Sequence, residues 1–148
     1  MYCADSPDLF TWKDRGKAIG DRAGEGPKVF RWKDHYWMVV DVWKGLGVYV
    51  SDDCQEWTRQ EKNLLSEPGQ GPDDKVKGGH PDVVVSGDRA FLFYFTHPGR
   101  QNTDPKDDVY ERRRSSIQVV ELEYKNGELT CERDKPTYIR LQPISDKK

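Results

Sequence analysis

The chain has 148 residues, one domain's worth of polypeptide. Lys and Arg number 24 against 26 Asp and Glu, a formal charge of 24 − 26 = −2, so no global basic field draws nucleic acid. Five Trp, seven Tyr and five Phe in an otherwise polar sequence exclude a disordered chain, and no stretch approaches the roughly 18 apolar residues of a membrane span.

Tyr2-Cys3-Ala4 reads as the end of a strand and runs straight into Ser6-Pro7-Asp8, as though the sequence opened inside a motif. No basic region followed by an apolar one precedes it, so the chain as written reads without a secretion signal. The spacing Ser6-x-Asp8-x-x-x-Trp12 returns as Ser51-x-Asp53-x-x-x-Trp57, a period of 51 − 6 = 45 residues, and Ile19 follows Trp12 as Leu64 follows Trp57. In each copy Ser and Asp are expected to cap a turn through side-chain to backbone bonds while Trp packs between layers.

Glu25-Gly26-Pro27 comes next, at the mouth of an apolar run. Proline at the first residue of a strand gives up no ladder donor and glycine permits close backbone approach, so the pair fixes the Glu before it. Taken singly, Glu25 also reads as an exposed loop carboxylate. The run predicts strands over roughly 27–32, 35–42, 46–51 and 55–59, with a hairpin turn at Lys33-Asp34. A second alignment, offset by 81 − 27 = 54, sets Pro27-Lys28-Val29-Phe30 over Pro81-Asp82-Val83-Val84 and Asp34 over Asp88. The difference, 54 − 45 = 9 residues, fits an insertion within Glu67 to Lys75. Strands over 81–86 and 89–96 follow, turned by Ser86-Gly87-Asp88. The polar stretch 97–114 is a long loop, which in a compact domain is functional or disordered. Ser115 to Tyr124 alternates as a third strand, Asn126-Gly127 is a turn, and Leu129 to Arg133 closes the set. No helix is predicted. Cys3, Cys54 and Cys131 are widely spaced and read as isolated thiols, without a disulfide framework or zinc site.

Several short strands repeating near 45 residues are what a propeller blade requires, each blade burying its faces on its neighbours. The reading is therefore an all-β chain of about two four-stranded blades plus the end of a third: 1–20 ending one blade, 25–66 a blade, 79–141 a blade with loop 97–114, and a 142–148 tail. Radial closure takes at least about four blades. Either the chain is part of a larger propeller or its open edges associate, with another copy or with a partner chain that completes the ring.

The Ser-x-Asp-x-x-x-Trp repeats, Glu25-Gly26-Pro27 and Gly79-His80 in consecutive units together resemble the C-terminal blades of five-bladed propeller glycoside hydrolases of family 43 and related families, over roughly residues 2 to 141. The resemblance implies a partial five-bladed propeller acting on plant or algal-type oligo- or polysaccharide by an inverting acid/base mechanism. It makes Glu25 the general acid and leaves the family's catalytic base and pKa-modulating Asp N-terminal to Met1. It matches His80 to a histidine near the propeller axis that helps organise a hydrated metal such as calcium, although here the sequence is Gly79-His80-Pro81-Asp82 where Gly-His-Gly is commoner. No cofactor is otherwise required.

His80, His97, Arg100, Asp41 and Trp43 complete the candidate substrate-binding set. His97 and Arg100 lie just past the strand ending at Phe95, suited to sugar hydroxyls or a carboxylate. Asp41 falls at the same strand end. Trp32, Trp37 and Trp43 each offer a face for a sugar ring, although at alternating strand positions most such residues are core or interblade packing, and Arg112-Arg113-Arg114 reads as a solvated loop from which one Arg could project to the site. Glycoside hydrolysis needs two carboxyl groups about the scissile bond. Asp82, aligned under Lys28, is poorly placed as the base, so the isolated chain is expected to be a poor catalyst. The alternative is a non-catalytic carbohydrate-binding or assembly module. A third reading, an unrelated all-β domain, is opposed by the two independent alignments. None of them involves nucleic acid or a membrane.

Overall fold

A computed structural model describes residues 1–100 and 110–143; the middle of the 97–114 loop and the end of the tail lie outside them. Its strands are β1 (Tyr2–Asp5), β2 (Lys13–Lys17), β3 (Glu25–Trp32), β4 (His35–Asp41), β5 (Leu46–Ser51), β6 (Thr58–Arg59), β7 (Gly79–Ser86), β8 (Arg89–Thr96), β9 (Ser116–Lys125) and β10 (Glu128–Cys131). Among the described residues they form antiparallel meanders: a hairpin β1-β2, a sheet β3-β4-β5-β6 and a sheet β7-β8-β9-β10. The fold is all-β and built of propeller blades. The 45-residue repeat lays β1-β2 over β5-β6, and the 54-residue repeat lays β3-β4 over β7-β8. Among the described residues no helix is long and apolar enough to cross a membrane.

The differences from expectation have local causes. β3 and β7 begin two residues early, at Glu25 and Gly79, because each carries a bulge: Glu25 pairs Asp41 and Lys28 pairs Val39, while Gly79 pairs Phe95 and Asp82 pairs Phe93. β6 is short because the Gln55 and Glu56 amides donate to Asp53 rather than to a ladder. β2 has no apolar alternation to reveal it, since its sequence is Lys-Asp-Arg-Gly-Lys. Two helical turns were not expected, a 3₁₀ turn at Pro98–Arg100 and α1 (Tyr110–Arg113).

The two Ser-Asp turns are built alike. Ser6 Oγ accepts from the Leu9 amide at 2.8 Å and Ser51 Oγ from the Cys54 amide at 2.9 Å. Asp8 Oδ1 accepts from the Phe10 and Thr11 amides at 2.9 and 2.7 Å, and Asp53 Oδ1 from Gln55 and Glu56 at 2.8 and 2.9 Å. Those amides hold the Asp8 carboxyl down to about 2.

β4 is buried on both faces. Trp37 and Val39 join Phe30, Leu46, Leu92 and Val120 in a core between the two four-stranded sheets. Met38 and Val40 turn the other way, joining Ile19 and Tyr49, with Trp57 against them. Trp32 Nε1 donates across the sheets to the Asp88 carbonyl at 3.2 Å.

The inserted segment before β7 is fixed by charge. Asp74 and Arg133 pair with side chains only 8% and 9% exposed, through Nη2 to Oδ1 at 2.5 Å and Nε to Oδ2 at 2.7 Å. Tyr94 OH donates to the same carboxylate at 3.0 Å, and the Arg133 guanidinium also donates to the Asp74 and Val76 carbonyls at 3.1 and 2.6 Å. Next door, Arg114 takes Asp73 bidentately at 2.8 and 2.9 Å. Removing one partner of a buried, hydrogen-bonded ion pair strands the other. Asp74→Ala and Arg133→Ala are each expected to cost about 3 kcal/mol in denaturant unfolding, whereas Arg15→Ala, which breaks the exposed pair with Asp5, leaves the midpoint in place.

Candidate active site

Glu25 opens β3 in register opposite Asp41, the last residue of β4. Asp41 is 6% exposed, and its carboxylate binds two backbone amides. Oδ1 accepts from Trp43 N–H at 2.8 Å and Oδ2 from His80 N–H at 3.0 Å. The second of these lies in the neighbouring sheet, so Asp41 locks the entry to β7 against the end of β4. Two glycines make this possible. A Cβ on Gly79 would stand 2.7 Å from Asp41 Oδ2. A Cβ on Gly26, whose φ is +56°, would stand 3.0 Å from His80 Nδ1. His80 itself adopts φ +43° at the bulge position equivalent to Gly26 (26 + 54 = 80), with proline following both.

The Glu25 carboxylate leans on this frame. Oε1 accepts from Trp43 Nε1–H at 3.1 Å and lies 3.3 Å from His80 Nε2. Oε2 has no partner among the described residues. Trp43 is not a strand residue: it sits past β4 with φ +60° and stays 49% exposed. Trp32 and Trp37 are core, as their alternation indicates.

His80 stacks on Phe95 with centroids 5.0 Å apart and planes at 19°, and Phe95 meets His97 edge-on at 5.0 Å. His97 Nδ1 lies 3.3 Å from the Arg114 carbonyl and 3.3 Å from Ser115 Oγ. Burial pushes the His97 pKa below its ordinary value, and the positive charges of Arg100 and His80 push the same way, against the Arg114 carbonyl. Arg100 turns to α1, its Nε donating to the Arg112 carbonyl at 3.0 Å.

Glu25, Asp41, Trp43 and His80 therefore meet, His97 stands one ring away, and Arg100 is held by α1. Sequence reasoning missed Phe95, although the 54-residue offset lays it on Asp41 (41 + 54 = 95). It also missed Lys77, whose Nζ donates to the Trp43 carbonyl; no motif points to it.

Glu25, Asp41 and His80 each place one donor atom within 4.8 Å of the others. As direct ligands they supply too few oxygens for calcium, which takes six to eight, so an ion here would be held mainly by water. The trio offers two carboxylates and an imidazole, and Asp41 is already committed to two amides. Asp82 pairs with Lys28 Nζ at 2.6 Å, aligned positions becoming neighbours across β3 and β7.

No protein-family model and no curated protein matches the chain. Solved structures do. A thermostable family-43 glycoside hydrolase superposes with TM-score 0.57 and 21% identity, over 80% of this chain and 39% of its own length. The Bombyx mori family-32 β-fructofuranosidase BmSUC1 superposes with TM-score 0.51 and 21% identity, over 89% of this chain and 29% of its own. A mutant of that enzyme in complex with sucrose gives 0.52 and 22%, over 90% and 29%. The chain shares its fold with part of the five-bladed propeller glycoside hydrolases. It spans well under half the length of each.

Two outcomes are expected. Gly79→Ala lowers the unfolding midpoint, because its Cβ cannot coexist with the bond from Asp41 to the His80 amide. In an NMR titration His97 protonates below about 6.5, the unfolded value. Since the unfolded state then binds the proton more readily, His97 adds full stability above about pH 6.5 and loses it as pH falls toward its folded value. His97→Phe removes that part of the pH dependence in unfolding curves.

Proposed function

We propose that the chain is the acid-bearing part of a propeller glycoside hydrolase, in which Glu25 protonates the departing glycosidic oxygen of a plant or algal-type oligo- or polysaccharide. The observation that carries the reading is the anchoring of Glu25: Oε1 is held by Trp43 and His80, and Oε2 points to no protein partner among the described residues. A general acid needs this combination of fixed orientation and a free oxygen. The fold supports it, since the matching structures include a family-43 glycoside hydrolase and a β-fructofuranosidase bound to sucrose.

Inversion also needs a carboxylate that activates water on the far face of the sugar. Neither nearby acid suits that role. Asp41 is spent on amides, and Asp82 is neutralised by Lys28. In this reading the base comes from the polypeptide that completes the ring, whether another segment, a second copy or a partner chain. Trp12 and Trp57 hold the same place in the repeat, yet Trp57 packs against the Met38 cluster while Trp12 is 59% exposed beside Phe10 at 91%. The face carrying Trp12 thus has the composition of a blade contact. The second reading, a carbohydrate-binding module without chemistry, is favoured by the same lack of a second free carboxylate, with Trp43 and the His80-Phe95 stack as the sugar platform.

On aryl glycosides and oligosaccharides the chain alone is expected to show no turnover while retaining saccharide binding in calorimetry. Turnover abolished by Glu25→Gln would show that the chain holds its own base. Turnover indifferent to Glu25→Gln would remove Glu25 from the acid role.

A further inference from the structure

A cavity of about 700 Å³ opens beside the Glu25 site and shares Trp43 with it. Its lining carries five cations, Arg22, Lys44, Arg59, Lys62 and Lys77, against two carboxylates, Glu61 and Glu67, a local charge of 5 − 2 = +3 on a chain whose net charge is −2. Arg22 faces Asp21 at 4.0 Å, which leaves 4 − 2 = +2 not consumed within the fold. Lys44, Lys62 and Lys77 form no ion pair among the described residues, and Arg59 meets neutral groups, Asn63 Oδ1 at 2.6 Å, the Gln60 carbonyl at 3.4 Å and the Tyr49 ring, while its Nε is buried without a partner.

The cavity is joined to the site through one residue. The Trp43 indole donates to Glu25 Oε1, its carbonyl accepts from Lys77 Nζ, and Lys44 follows it in sequence. Asn63 steadies this corner by donating to the Lys44 carbonyl at 3.0 Å while accepting from Arg59. A saccharide stacked on Trp43 with one bond at Glu25 would therefore set its next residue over unpaired ammonium groups. A neutral sugar leaves those charges uncompensated, whereas an anionic substituent pairs with them. The volume suits such a unit, falling within the roughly 300–1,000 Å³ of small-molecule sites.

We propose that this cavity is a subsite for an anionic sugar, so that the saccharide handled at Glu25 carries sulfate esters or uronate carboxylates. The inference rests on the carbohydrate reading of the Glu25 site and names the substrate class within it. Lys44, Lys62 and Lys77 supply the charge, and Trp43 couples the subsite to the acid.

The test is calorimetric titration of the chain with three oligosaccharides of equal length, one sulfated, one uronate and one neutral, at low and high salt. At least one anionic oligomer is expected to bind roughly tenfold more tightly than the neutral one and to weaken with salt, and which of the two does so identifies the anion. The double variant Lys44→Met/Lys62→Met, at two exposed positions that leave the core untouched, is expected to erase most of that advantage, and Lys44→Arg/Lys62→Arg to restore it. Trp43→Ala weakens anionic and neutral oligomers alike. Equal binding of all three, insensitive to salt and to the lysine variants, overturns the anionic subsite and leaves the carbohydrate reading standing. No binding of any saccharide overturns both. Inorganic sulfate binding as tightly as the sulfated oligomer reduces the cavity to a simple anion site and overturns the proposal.

Discussion

A single buried carboxylate organises the site. Asp41 has one oxygen on an amide of its own sheet and the other on an amide of the next, so the ends of β4 and β7 cannot separate without stranding a buried charge. Everything that bears on Glu25 is hung from those two bonds. The first turns the chain at Trp43 into the left-handed conformation that brings its indole to Glu25, and the second sets the bulge from which His80 reaches the same oxygen. Asp41 thus positions the carboxylate opposite it.

Both glycines of the two motifs follow from this clamp, and each answers to a distance. Gly79 leaves room for Asp41 Oδ2, and Gly26 for the His80 ring. The requirement is local to the seam between two sheets. Hence the motifs differ while the backbone does not: one blade places glutamate, glycine and proline where the next places glycine, histidine and proline, and both bulge at the same residue.

The blades were legible because their repeats report backbone. Two offsets of 45 and 54 residues anticipated which strands correspond and the shared turn chemistry of Ser6 and Ser51. What stayed hidden depends on contacts between segments far apart in sequence. Asp41 reads as one more acid at a strand end until its amide partner, 39 residues away, is in view. Asp74 and Arg133 lie 59 positions apart in the sequence. β2 has no apolar face to betray it, because pairing with β1 orders it instead. Trp43 stands just past β4, where the turn made by Asp41 takes it out to the surface while Trp32 and Trp37 stay in the core.

The same geometry bears on how the proposed inverting site would be shared between blades. Residues facing one another across a strand pair are close, with Cβ atoms about 4.5–5.5 Å apart, and Asp41 and Glu25 do bring their carboxylate oxygens within 4.8 Å. A water between acid and base needs about 6.5–9.5 Å between the carboxyl groups. The register that makes Asp41 a good clamp for Glu25 therefore makes it a poor base. A carboxylate at that separation would project from a strand outside the β3-β4 pair. The next sheet places Gly79, with no side chain, where Glu25 stands in its own, and a ring, Phe95, in the place of Asp41. Among the described residues the two blade ends therefore differ: one presents the Glu25 carboxylate, the other the aromatic wall of Phe95.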